Sequence, residues 1–206
     1  MSKFIKVLEI IIIFFLLPVL MKYNLIPLPR IVMLLLVFIV VLIVCIRENY
    51  FQTAWNYFPT LAKEYWLKIG AVYLGSFLVF VAYLSFILHQ TPFLILRDKP
   101  LLMLIIALFY PLISALPQEI IYRTFFFARY KSLFSKPLYL LLFNIVAFSW
   151  LHVIYNNIES IVLTLIAGLV FTLSYYRKRS LLLVTLEHSI LGLIIFLTGM
   201  GQFFYK

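Results

Sequence analysis

Charge is scarce in this chain. Asp, Glu, Lys and Arg make up only 12% of its 206 residues, about half the share found in soluble domains. With 66% hydrophobic residues and a mean hydropathy of +1.12, a water-soluble fold of this size would lack the polar surface to cover itself. Acidic residues are the scarcest, 7 against 17 Lys plus Arg, for a net charge of +10. The basic excess sits in short clusters between apolar runs, so it marks loops on one side of a bilayer, and no nucleic-acid partner is expected. Cys45 is the one cysteine, which excludes an internal disulfide and a cysteine-based metal site. Internal repeats, low-complexity linkers and any polar stretch long enough for a soluble domain are lacking too. What remains is an all-α polytopic membrane helix bundle, one membrane domain overall.

A helix needs about 20 apolar residues to cross the bilayer core. Spans are expected over 4–21, 29–46, 68–88, 101–129, 137–155, 158–176 and 181–200. Lys3 and Lys6 ahead of an apolar run imitate a signal peptide. Glu9 interrupts that run, however, and Pro18–Lys22 offers no small-x-small cleavage site, so a retained first span is expected. The connection over 47–67 carries Trp55, Tyr57, Phe58, Tyr65 and Trp66 among charges, which suits an interfacial helix or a re-entrant stretch. The fourth segment reads either as two short spans broken at Pro117 or as one long kinked span. Loop charge arbitrates. With one span there, eleven basic residues fall on the N-terminal side, from Lys3 and Lys6 to the Arg177–Arg179 cluster, against five (Lys22, Arg30, Arg97, Lys99, Lys206) opposite. The positive-inside bias predicts seven spans, N-terminus in and C-terminus out.

Ionisable residues at membrane depth are functional candidates by default, because charge there is expensive. In the second half these are Glu119, Arg123, His152, Glu187 and His188. At 1.5 Å per residue, Glu119, His152 and His188 lie about 18, 22 and 12 Å from the cytoplasmic ends of their helices. One carboxylate and two imidazoles at matched depth can meet around one water. Each also has a structural reading. Glu119 and Arg123 stand at i and i+4 and can form an ion pair, His152 can be interfacial, and His188 can hydrogen-bond a neighbouring helix. His89, next to Gln90 and Thr91, reads as interfacial, and Glu9, close to Lys6, as a paired or snorkelling charge.

Three short stretches resemble the motifs of the CPBP family, also called the Abi or CAAX-protease-like family. Pro117-Gln118-Glu119-Ile120-Ile121-Tyr122-Arg123 resembles the first, two adjacent acids, three spacers and an arginine. Phe148-Ser149-Trp150-Leu151-His152 matches the second, and Glu187-His188 sits where the third begins. The resemblance covers about residues 100–200 and divides the chain into N-terminal spans with an interfacial connection (1–99) and a catalytic core (100–206). It implies a multi-pass intramembrane protease of a bacterial or archaeal cytoplasmic membrane, acting on a membrane-associated or lipid-anchored peptide or protein. In that family a glutamate and a histidine activate water, while a second histidine and an asparagine polarise the scissile carbonyl. Two positions depart. Gln118 replaces the first acid, and Gly192 stands where asparagine is usual. Glutamine cannot act as a general base. Retention of Glu119, Arg123, His152 and His188, with the C-terminal Gly-Met-Gly201, fits a variant branch rather than decay. A non-catalytic immunity or scaffold protein that keeps the fold is the alternative.

Peptide hydrolysis needs an activated water, a base, an oxyanion stabiliser and a proton for the leaving amine. Glu119 is the expected base, His152 shares its water, and His188 is the expected oxyanion donor. Asn156 lies one turn past His152, about 40° round the helix, where it can supply the amide missing at Gly192; Asn157 aligns less well. Glu187 is a second candidate base, pointing about 100° away from His188. Tyr122 is a candidate cavity-lining hydroxyl. Two histidines and a carboxylate suffice for catalytic zinc, but no His-Glu-x-x-His pair occurs on one helix, and metal-free chemistry without a cofactor needs fewer assumptions. A proton-relay transporter finds no support in paired broken helices or matching halves.

The orientation is directly testable. A reporter fused after Lys206 is expected to read out the non-cytoplasmic side, and a cytoplasmic signal there would replace seven spans by a chain split at Pro117.

Overall fold

The computed structural model describes residues 2–53 and 63–205, all in helices and short connections, with no strand among them. Among the described residues seven helices are long and apolar enough to cross a membrane: α1 Lys3–Lys22, α2 Arg30–Arg47, α3 Lys63–Ile87, α4 Pro100–Leu133, α5 Pro137–Tyr155, α6 Ile158–Lys178 and α7 Leu181–Thr198. Their ends follow local chemistry. Pro100 and Pro137 open α4 and α5, where a missing N–H costs nothing. Asn157 and Ser180 cap α6 and α7 by accepting from the N–H of Ser160 and Leu183. Asn24 and Asn49 turn the chain in the left-handed region just past α1 and α2.

Of the expected connection over 47–67, Trp55, Tyr57 and Phe58 lie outside the described residues. Tyr65 and Trp66 belong to α3, which begins at Lys63 rather than at 68. The first turns of α3 carry charge, so hydropathy hides them while the backbone continues. Glu9 pairs with Arg129 at 2.8 Å and ties α1 to α4, and the Lys6 ammonium instead donates to the Ser132 hydroxyl. His89 is exposed at the end of α3, in a left-handed conformation.

The fourth segment does not break at Pro117. It runs 34 residues, about 51 Å, well beyond a bilayer core of about 30 Å. Two wide, π-type turns, Pro111–Ala115 and Ile120–Phe125, absorb the irregularity. The two ends of α4 live in different surroundings. Leu101, Leu104, Leu108 and Leu112 are exposed, whereas residues 117–127 are buried without exception. A helix buried all round is surrounded by others. Here Phe14 of α1, Val41 and Cys45 of α2, Phe148 of α5, Phe171 of α6 and Val184 of α7 share one core with it. Exposed Leu36, Ile39, Val40 and Ile43 on α2, with Leu74, Leu78 and Val79 on α3, present an apolar face suited to lipid.

Phe14 is the anchor of α1. It is fully buried and meets Tyr122, Phe126 and Tyr130 edge-on at 5.3, 5.2 and 6.1 Å. Phe14→Ala is expected to cost about 3–5 kcal/mol in detergent unfolding. Phe86→Ala, at a side chain 76% exposed, is expected to stay within about 0.5 kcal/mol.

Candidate active site

Glu119, midway along α4, has no solvent exposure. Its Oε1 lies 2.7 Å from Nδ1 of His188 on α7, and its Oε2 lies 3.1 Å from Nε of Arg123, one turn along α4. A carboxylate only accepts, so His188 Nδ1 carries the proton in that contact. Oε1 carries the hydrogen-bond contact with His188, Oε2 faces Arg123 in an ion pair without a hydrogen bond, and Glu119 lines neither of the two cavities described below. The structure thus sets Glu119 behind His188 rather than beside it.

Arg123 is equally buried and depends on a residue that sequence reading missed. Its Nη1 donates to Oδ1 of Asn144 at 2.6 Å. Thr172 of α6 donates to the same oxygen at 2.9 Å. The Asn144 amide in turn donates to the Tyr122 carbonyl at 2.7 Å. That carbonyl is available because of the wide turn. The N–H of Phe126, its partner in a regular α-helix, goes to Ile121 and Arg123 instead. The guanidinium also sits over the Phe148 ring, 4.9 Å from its centre. One signal for Asn144 was present in the sequence. Asn144, Phe148 and His152 recur every four residues, along one face of α5.

His152 closes α5. The regular helix ends at Leu151, and His152–Tyr155 form a tighter turn. The His152 Nδ1 lies 3.0 Å from the Phe148 carbonyl. A carbonyl only accepts, so Nδ1 holds the proton and Nε2 keeps the lone pair in the neutral ring. The tight turn also moves Asn156. The chain reverses there in the left-handed region, φ 56°, so the extrapolation of one more helical turn fails. Asn156 lines a third pocket with Lys22, Tyr23 and Arg30, away from the two imidazoles. Asn157 caps α6 and donates to the Tyr155 and Phe203 carbonyls.

His152 and His188 line one cavity of about 130 Å³. Tyr110, Ser114 and Gln118 of α4 border it, with Phe148, Phe171 and Phe204. Phe171 stacks on His188 at 4.9 Å, and Phe148 meets both imidazoles edge-on or tilted, at 5.3 and 5.8 Å. Gly168 lets Phe148 come close, since a Cβ there would approach its ring to 3.1 Å. The Gln118 amide donates to Ser114 at 3.0 Å, and its buried carbonyl oxygen has no partner among the described residues. A second cavity of about 380 Å³, walled by apolar residues of α1, α2, α4 and α5, shares Ser114, Gln118, His152, Tyr155 and Phe204 with the first. Tyr122 borders this larger cavity. Glu187 turns the other way, accepting from Tyr65 at 2.7 Å and Ser174 at 2.9 Å. No group of three or more His, Cys, Asp or Glu close enough to hold a metal occurs among the described residues.

Asn144 is the test of this network. Asn144→Ala removes the acceptor of a buried guanidinium, and a loss of about 3 kcal/mol is expected in detergent unfolding. Thr172→Val, which deletes one donor from a still-partnered oxygen, is expected to cost about 1 kcal/mol.

Comparison with known proteins falls on this region. Residues 99–194 match the family model described as type II CAAX prenyl endopeptidase Rce1-like. Neither curated proteins nor solved structures yielded a match. The matched stretch contains Glu119, Arg123, Asn144, His152 and His188. Over residues 99–194 the chain is thus similar to the type II CAAX prenyl endopeptidase Rce1-like family.

Proposed function

We propose that the protein is an intramembrane endopeptidase that hydrolyses a peptide bond of a lipid-anchored substrate, with residues 100–206 supplying the reactive groups and residues 1–99 part of the walls. The observation that carries this reading is the pair of imidazoles at one cavity, each anchored through Nδ1. The adjoining apolar cavity suits a prenyl or acyl chain, and in this reading the bond to be cut lies near Gln118 and His152.

The roles differ from those expected of the sequence. Glu119 is paired with His188 and Arg123 and lines neither cavity, and Gln118 cannot take a proton, so the base is His152. Its Nε2 removes a proton from water as the water oxygen bonds to the carbonyl carbon. His188, as the imidazolium, keeps Nδ1–H on Glu119 and offers Nε2–H to the carbonyl oxygen as negative charge develops there. When the C–N bond breaks, His152 returns its proton to the leaving amine. Glu119 positions His188, and Arg123 positions Glu119. The Gln118 carbonyl oxygen is free to accept from water. This chemistry is written without a metal or other cofactor. The site lies in a multi-pass membrane protein, for which we propose a bacterial or archaeal cytoplasmic membrane.

A second reading rests on Gln118. An amide in place of the first acid suits a chain that keeps the fold and binds membrane peptides without cutting them, as an immunity factor or scaffold.

The assay is release of the C-terminal tripeptide from a farnesylated Cys-aliphatic-aliphatic-X peptide by protein in lipid vesicles. His152→Gln and His188→Gln are each expected to lose at least about a hundredfold in kcat. The acid limb of the wild-type pH profile is expected to vanish with His152. Gln118→Glu, which adds a carboxylate at the water, is expected to raise kcat. Normal cleavage by His152→Gln would remove the base assignment. A wild type that binds the peptide and never cuts it would favour the scaffold.

A further inference from the structure

Gly192 lies inside α7, where glycine costs about 1 kcal/mol relative to alanine. Its neighbour explains it. A Cβ at Gly192 would collide with the ring and hydroxyl of Tyr110. The Tyr110 side chain therefore occupies the space into which a residue at 192 would project. That is also the position where asparagine is the expected partner of the second histidine.

Tyr110 is held there from three sides. Its ring meets Phe196 at 5.4 Å and His188 at 6.0 Å, both edge-on, and Gly192 backs it. It lines the cavity of the two histidines. Its hydroxyl makes no hydrogen bond to any described residue. A tyrosine hydroxyl within a largely buried ring ordinarily finds a partner. Here the open direction is the cavity. Tyr110, Ser114 and Gln118 form one row along α4, so the hydroxyl belongs to the same polar edge as the Gln118 amide.

Resting on the hydrolytic reading above, we infer that Tyr110 is a second donor to the scissile carbonyl, its hydroxyl standing where the side chain of residue 192 would otherwise reach. The carbonyl oxygen then receives Nε2–H of His188 and O–H of Tyr110 together. No proton is transferred; the hydroxyl donates a hydrogen bond that strengthens as the oxyanion forms. The departure at 192 becomes an exchange, in which loss of a side chain there makes room for a tyrosine from α4.

The test uses two readouts on full-length protein in vesicles: cleavage of the farnesylated peptide, and affinity for its phosphinate analogue, in which a tetrahedral anion replaces the scissile amide. Tyr110→Phe keeps the ring and deletes only the oxygen. It is expected to lower kcat about a hundredfold with KM within about twofold, and to weaken phosphinate binding by a similar factor. Tyr110→Ala combined with Gly192→Asn is expected to recover part of both. Equal cleavage and equal phosphinate affinity for wild type and Tyr110→Phe would overturn the inference and leave the protease reading standing. A wild type that binds the phosphinate but cuts nothing, with weaker binding by Tyr110→Phe, would end the protease reading and keep Tyr110 as an anion donor. A wild type that does neither would end both.

Discussion

The structure is organised around one buried charge. Glu119 has no exposure and lies on a helix that is itself surrounded by others. Removing a carboxylate from water costs several kcal/mol even after relaxation, and opposite charge repays it only when every remaining polar atom is also satisfied. Arg123 answers the carboxylate and creates the same need for itself. Asn144 meets part of that need at Nη1, while Nε and Nη2 make no hydrogen bond to any described residue; Thr172 completes Asn144, and a wide turn in α4 releases the carbonyl on which the amide rests. Four helices are drawn together by this chain of obligations. His188 enters as the carboxylate's other partner, so the orientation of its ring is a by-product of how the charge is buried.

The helices were legible because hydropathy and charge act over many residues. Seven apolar stretches and two proline starts suffice to place them, and the ends drift only where charged turns continue a helix beyond the apolar zone, as at Lys63. The ionisable residues were legible for the same reason, since each is conspicuous against apolar neighbours. Their division of labour was not. Spacing places Glu119 at the right depth, but which side of α4 it presents depends on two wide turns that no short motif announces. Asn156 shows the same weakness. Its placement assumed a helix running on past His152, and the chain reverses there instead. Asn144 and Tyr110 were passed over because each lies alone in an apolar run, outside the three motif stretches. Only the four-residue spacing of Asn144, Phe148 and His152, or of Tyr110, Ser114 and Gln118, could have drawn attention to them.

The two departures from the family pattern border the same space. Gln118 and Gly192 both line the cavity of the histidines, and Tyr110, packed against Gly192, shares that lining. Around them the apolar walls are shared. Phe148 faces the guanidinium and both imidazoles, so one ring shields the buried charge and shapes the reaction space. In the proposed chemistry Glu119 stands on the far side of the His188 imidazole from the cavity, and His152 is the base within it.

The wide turn at Ile120–Phe125 has a bearing on how this helix tolerates changes of length. In such a turn the ladder has slipped by one residue, with Phe126 reaching Ile121 rather than Tyr122. Deleting one residue there would heal the ladder and restore ordinary helical geometry, which in isolation is the more comfortable state. It would also change the angular relation between Glu119 and everything beyond the turn by about 100°. The bilayer sets no such limit, since a helix of 34 residues already exceeds the thickness it must cross. Indels are therefore policed in α4 by the phase between a carboxylate and an aromatic core, and hydrophobic length has no vote in the matter.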